Sequence, residues 1–322
     1  METMTNWVIG VDLGGTKVEL GLVSPQNEIV ARRRMATQAA DGPERVVERI
    51  GVQVAELAEA LPAGKQVAAL GICCPGPLDH ETGMLINPTN LPKFYNTPLR
   101  QMLSERLGLP VSLEHDAKAA ALGEFYFGAG QVARNMVYIV IGTGVGAAII
   151  LDGQLHRGAR NFAGEVGHIM LDRQGEPCAC GSRGCVETYM SGPWLARHYR
   201  RGATGPVAEI TGADVSRLAA QGDRLALQVM NEAGEALGVA IATIAMLIDV
   251  DLYVIGGSVA KSGELFLAPA RRRMPDYSFP SVSAGTEIVA SQLEEDAPIL
   301  GCAWLARGAG GVVSVKSSVV WK

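Results

Sequence analysis

A chain of 322 residues can fold around two hydrophobic cores, since single cores rarely grow past about 250 to 300 residues. Its net charge of -5 argues against a protein whose task is gripping nucleic acid, and the triplets Arg32-Arg33-Arg34 and Arg271-Arg272-Arg273 read as solvated faces. No basic stretch leading into an apolar run and a small-residue cleavage site stands near the start, so a cytoplasmic protein without a membrane partner is expected.

The first predicted element is a hairpin, "VIGVDLGGTKVELGLV" over residues 8–23, broken by an aspartate, two glycines, a threonine and a lysine. Glycines tolerate positive φ and hold nothing away from the backbone. Gly14, Gly15 and Thr16 can therefore present successive N–H groups to an anion, Lys17 can add a positive charge, and Asp12 can hold a hydrated metal. The stretch reads equally as a tight hairpin with a polar tip. It has neither the P-loop spacing nor a Gly-x-Gly-x2-Gly opening a helix.

Apolar residues at Val46, Val47, Ile50, Val54, Leu57, Ala58 and Leu61 predict an amphipathic helix over 43–61. A strand over 67–73 follows and runs into the rigid turn Pro75-Gly76-Pro77-Leu78-Asp79. Residues 98–107 read as a helix. A strand over 110–113 then ends in Glu114-His115-Asp116, and an alanine-rich helix follows over 117–127. Asp116 is a natural N-cap for that helix. It is also placed, at a strand end, to accept a proton from a substrate hydroxyl.

The opening hairpin has an echo: a strand over 136–141, the turn Gly142-Thr143-Gly144-Val145-Gly146, and a strand over 147–151. A third strand ends at Gly256-Gly257. Glycine makes up 39 of 322 residues, about 12% against a usual value near 7%, so close backbone approach is expected throughout. Residues 223–247 and 298–306 read as helices. The apolar run 238–257 is interrupted by Asp249 and Asp251, each costing about 2.5 to 3.5 kcal/mol at a bilayer centre, and so reads as a buried helix followed by a strand. The tail from Gly308 onward reads as partly disordered. Alternating strands and helices give an α/β class with two sheet-based halves.

"GEVGHIMLDRQGEPCACGSRGCVE" places Cys178, Cys180 and Cys185 within eight residues, with His168 ten positions upstream. Three thiolates and one imidazole suit a closed, structural Zn²⁺ site. Disulfides are the other reading, but three cysteines leave one unpaired. Cys73, Cys74 and Cys302 sit in apolar runs and read as core residues.

Taken together, Asp12-Leu13-Gly14-Gly15-Thr16-Lys17, Pro75-Gly76-Pro77-Leu78-Asp79, Asn90-Leu91-Pro92, the turn at 142–146, "AGEVGH" at 163–168, "CACGSRGCVE" at 178–187 and Ile255-Gly256-Gly257 resemble the ROK family of sugar kinases. That family is the bacterial glucokinase-like branch of the actin and hexokinase fold, and the resemblance runs from about Val8 to Ala306. It implies an α/β protein with a ribonuclease H-like pair of domains, 1–116 with about 298–322 and 117–297, and a nucleotide and sugar cleft between them. It implies transfer of the ATP γ-phosphoryl group, with Mg²⁺, to a hexose hydroxyl, usually the 6-hydroxyl. Asp116 would be the base. Asn90, His115, Glu165, His168 and Glu187 match positions at or near the sugar, with His168 also serving structural Zn²⁺ beside Cys178, Cys180 and Cys185. Asp12, Gly14, Gly15, Thr16, Lys17, Gly142, Thr143, Gly144, Gly256 and Gly257 match the phosphate-binding turns. Homodimers are common in the family.

Three departures stand out. His115 replaces the usual asparagine that bonds ring hydroxyls and offers a different donor pattern. N-acetylmannosamine, fructose and allose are therefore alternatives to glucose. Ala147 and Ala148 replace common glycines, and Phe94 replaces a common tryptophan. The family also contains sugar-responsive regulators, whose N-terminal helix-turn-helix has no counterpart before the glycine turn at residue 12, so a kinase is expected over a regulator.

Overall fold

The computed structural model describes residues 6–205 and 209–309. Gly308 and Ala309, expected to open the tail, close the last helix, and the rest of the tail lies outside the described residues. The described chain divides into two compact units, one of 6–131, 153–161 and 295–309, the other of 132–152 and 162–294. Residues 117–127, the helix after Asp116 that the expected boundary assigned to the larger domain, fall in the first unit.

In the first unit, β1 (Trp7–Leu13), β2 (Lys17–Val23), β3 (Ile29–Ala36), β4 (Val67–Cys74) and β5 (Val111–His115) form one sheet in the order β3-β2-β1-β4-β5. The first three strands are antiparallel; β4 and β5 run parallel to β1. The helix Pro43–Ala58 starts on a proline, whose fixed φ suits the first helical position, and packs Val46, Ile50, Val54 and Leu57 on one face of the sheet. The helix Ala297–Ala309 packs on the same sheet with its backbone unusually close. A Cβ on Gly10 would fall inside the carbonyl oxygen of Ile299, and one on Gly71 inside that of Cys302. Backbone cannot retreat as a flexible side chain can. Gly71→Ala is therefore expected to cost about 1 to 3 kcal/mol in denaturant unfolding, and an unchanged midpoint would show that helix free to shift.

In the second unit, β6 (Met136–Ile141), β7 (Val145–Leu151), β8 (Leu252–Gly256) and β9 (Glu287–Ala290) pair in the order β7-β6-β8-β9. β6 and β7 are antiparallel, and β8 and β9 run parallel to β6. That is the pattern of β2-β1-β4-β5, so the echo in the sequence is a repeat of topology. The helix Arg224–Ile248 is the one described helix long and apolar enough to cross a membrane. Its Val229, Leu237 and Ile241 instead share a core with Tyr253 and Ile255 of β8, as a buried helix followed by a strand should.

Candidate active site

The first glycine turn closes β1 onto β2 through a bond from the Gly14 N–H to the Lys17 carbonyl at 2.9 Å. Thr37 holds it from the side, its hydroxyl donating to the Gly14 carbonyl at 2.7 Å. Gly15 abuts Asn90, whose Cβ lies 3.1 Å from where a side chain on Gly15 would begin. Lys17 does not stand alone beside the glycines: its ammonium pairs with Glu19 at 2.8 Å. Asp12, near the end of β1, is partly buried and receives the Cys73 thiol at 3.6 Å. Burial, and after it the charge of Asp116, push the Asp12 carboxyl up to about 6.

The end of β5 decides between the two readings of Asp116. A true N-cap accepts from the second or third helical N–H. Asp223 does so toward Ala226, and Thr211 does so toward Asp214. Asp116 is instead the first helical residue, with His115 in the cap position and no side-chain cap bond. Asp116 Oδ1 accepts from the adjacent Ala117 N–H at 2.6 Å and lies 2.9 Å from His115 Nδ1. The Asp116 side chain remains 42% exposed, so its second oxygen is open to a ligand. Helix capping does not account for this aspartate.

Beneath it lies a feature the sequence did not signal. Glu114 is fully buried, with Oε1 accepting the His115 N–H at 2.9 Å and Oε2 accepting Nε and Nη2 of Arg157, each at 2.8 Å. The buried Lys118 donates to the carbonyl and side chain of Asn161. These bonds tie the 157–161 segment to the strand end carrying Asp116. Nothing in the spacing of Arg157 from Glu114 announces a pair 43 positions apart.

In the second unit, the turns after β6 and β8 meet. Val259 N–H donates to the Ile141 carbonyl at 3.0 Å, and Gly257 takes φ 91° where a Cβ would strike that carbonyl. Gly142, Thr143, Ser258 and Val259 then line a cavity of about 400 Å³, completed by Gly192, Arg200, Thr211, Gly212 and Ser216. This is the size range of small-molecule sites. The last five residues were missed in the sequence; a Cβ on Gly212 would strike the backbone of Gly192, so only the glycine excess hinted at this close packing.

Glu187 also reaches the β6–β7 turn. Its Oε2 accepts the Val145 N–H at 3.0 Å and would lie 2.8 Å from a Cβ on Gly144. Glu165 and His168 are exposed on the short 3-10 turn Val166–His168, held along β7 by the Ala147 N–H bonded to the Gly164 carbonyl at 3.0 Å.

His168, Cys178, Cys180 and Cys185 each bring one ligand atom to within 4.8 Å of the others. Cys180 and Cys185 sulfurs are 3.7 Å apart, as are the Cys178 sulfur and His168 Nδ1. Metal–sulfur bonds of about 2.3 Å in a tetrahedron separate ligand sulfurs by about 3.8 Å, so the donors fit a zinc-type centre. All six cysteines are free thiols rather than disulfides.

Two α/β units of repeated topology, each with a glycine turn at the end of its central strand, define the actin and hexokinase-like class of fold. The ROK family model matches residues 8–309, and the chain belongs to that family. It is 36% identical over 307 residues to the glucokinase of Thermotoga maritima, covering 92% of this chain and 96% of that one. The crystal structure of a ROK family glucokinase from Streptomyces griseus, in complex with glucose and AMPPNP, matches at a TM-score of 0.80 and 35% identity over 94% of this chain and 100% of that chain. The xylose repressor of Caldicellulosiruptor bescii is 30% identical over 92% of this chain and 76% of its own length.

Proposed function

We propose that this protein is an ATP-dependent hexose kinase of the cytoplasm, acting on the sugar 6-hydroxyl. The open Asp116 carboxylate, freed from any capping role, carries this reading within the chain. Asp116 takes the proton of the sugar hydroxyl as its oxygen attacks the γ-phosphorus, the bond to the ADP oxygen breaks, and the proton leaves later to solvent. The transition state is loose, so the protein's work is positioning and charge neutralisation. In the first unit, Asp12 with Gly14, Gly15, Thr16 and Lys17 provides for phosphates and their metal, and Asn90 for sugar hydroxyls. In the second, the cavity lined by Gly142, Thr143 and Ser258 suits a nucleotide, and Gly144, Gly256 and Gly257 of the neighbouring turns are assigned to its phosphates. Glu165, His168 and Glu187 are polar groups suited to sugar hydroxyls. Mg²⁺ bound with the nucleotide would supply charge neutralisation.

Turnover of glucose, mannose, fructose, allose and N-acetylmannosamine, followed by coupled ADP release, tests the reading and ranks the sugars. A protein that binds sugar and DNA yet releases no ADP with any of them is a regulator of the xylose repressor type.

His168, Cys178, Cys180 and Cys185 are proposed to hold structural Zn²⁺, which needs no open position. About one zinc per chain is expected by metal analysis of protein purified without chelator, and none would sink the assignment. Cys180→Ser should lower metal affinity by at least about tenfold and raise the sugar KM with it, because the turn carrying Glu165 and His168 loosens. A homodimer belongs to the same reading and is checked by light scattering.

A further inference from the structure

His115 stands where the sequence suggested a reader of sugar hydroxyls, but its ring is engaged differently. Nδ1 lies 2.9 Å from Asp116 Oδ1. At that distance a protonated Nδ1 attracts the carboxylate oxygen, whereas a bare nitrogen lone pair would repel it. The other edge of the ring sits against Gly76: a Cβ there would be 2.8 Å from Cδ2 and 3.1 Å from Nε2. The ring is thus seated on the turn after β4 with Nδ1 in contact with the carboxylate.

Oδ1 of Asp116 consequently accepts the Ala117 N–H and stands in ion-pair contact with the imidazole, while no hydrogen bond reaches Oδ2 among the described residues. A carboxylate fixed at one oxygen presents the lone pairs of the other in a set direction. Proton transfer demands such alignment, and misplacement by about 1 Å can cost about a hundredfold.

We infer that His115 is a positioning residue for the proposed base, holding Asp116 Oδ1 so that Oδ2 faces the sugar hydroxyl. This rests on the kinase reading and on Asp116 as base. A residue that instead reads the sugar would act on affinity. One that positions the base acts on turnover, and only while the base is there.

The test uses the full chain and the best-turned-over sugar of the panel above. His115→Ala should lower kcat by about tenfold or more, with the sugar KM and ATP KM each within about threefold. His115→Asn, whose amide can donate from nearly the Nδ1 position, should recover most of that loss. In an Asp116→Asn background His115→Ala should slow turnover no further and leave sugar Kd, by calorimetry, unchanged. Gly76→Ala, which crowds the ring, should lower kcat in the parent and not in His115→Ala. A raised sugar Kd with normal kcat, or additive losses with Asp116→Asn, overturns the inference and makes His115 a sugar contact. Full activity of Asp116→Asn alone would overturn the reading of Asp116 as base, a separate failure.

Discussion

Asp116→Ala is expected to lose at least about a hundredfold in turnover, about 2.7 kcal/mol of transition-state stabilisation, while nucleotide binding and fold persist. The geometry separates the two effects. A helix that loses its cap loses stability, about 1 kcal/mol in a typical case. Among the described residues the deleted carboxylate accepts only its neighbour's N–H and contacts His115, and it is 42% exposed, so unfolding should move by no more than about 0.5 kcal/mol. Asp223→Ala, which removes a cap bond to Ala226, is the contrasting control and should lower stability without touching turnover. The measurements are ADP release at saturating sugar, nucleotide affinity by calorimetry, and the urea midpoint. An Asp116→Ala enzyme nearly as active as the parent would remove Asp116 from the chemistry.

How much of this was legible beforehand follows from how far each signal reaches along the chain. The strand ends at Asp12, Ile141 and Gly256 were readable because apolar runs and glycine turns are local patterns. The grouping of Cys178, Cys180 and Cys185 with His168 was readable for the same reason, the three cysteines lying within eight residues. The five helices read from the sequence were placed within a few residues, the first ending at Ala58 rather than Leu61, but the helices Gly192–Gly202, Gly212–Ala220 and Glu264–Arg273 were not read. What failed was chemistry decided by distant partners. Glu114 with Arg157, Lys118 with Asn161, and Gly71 with Cys302 are meetings of segments far apart in sequence, and local periodicity says nothing of them. Asp116 is the instructive case. Sequence offered a cap or a base, and only backbone geometry, with His115 in the cap position, removed the first.

Asp12 is expected to make the protein less stable as pH rises, against the usual behaviour of a carboxylate. Burial and the Asp116 charge raise it from 3.8 to about 6 in the folded chain. The folded state therefore holds a proton that the unfolded state has lost, and stability declines between about pH 4 and pH 6, then stays flat. A rise of about two pH units corresponds to about 3 kcal/mol. Asp12→Asn carries no such charge, so its unfolding free energy relative to the parent should grow by about 2 kcal/mol between about pH 4.5 and 7.5, whatever constant offset its amide introduces. Urea unfolding of both proteins at pH 4.5, 5.5 and 7.5, without nucleotide or Mg²⁺, reads the difference directly. Parallel curves would mean that Asp12 ionises as freely in the folded state as in the unfolded one. The same variant should be nearly inactive if Asp12 serves the phosphates' metal, since a carboxamide offers a metal no charge. If Asp12 serves the phosphates' metal as proposed, the chain trades stability for that site, because a bound cation would favour the charged form that burial penalises.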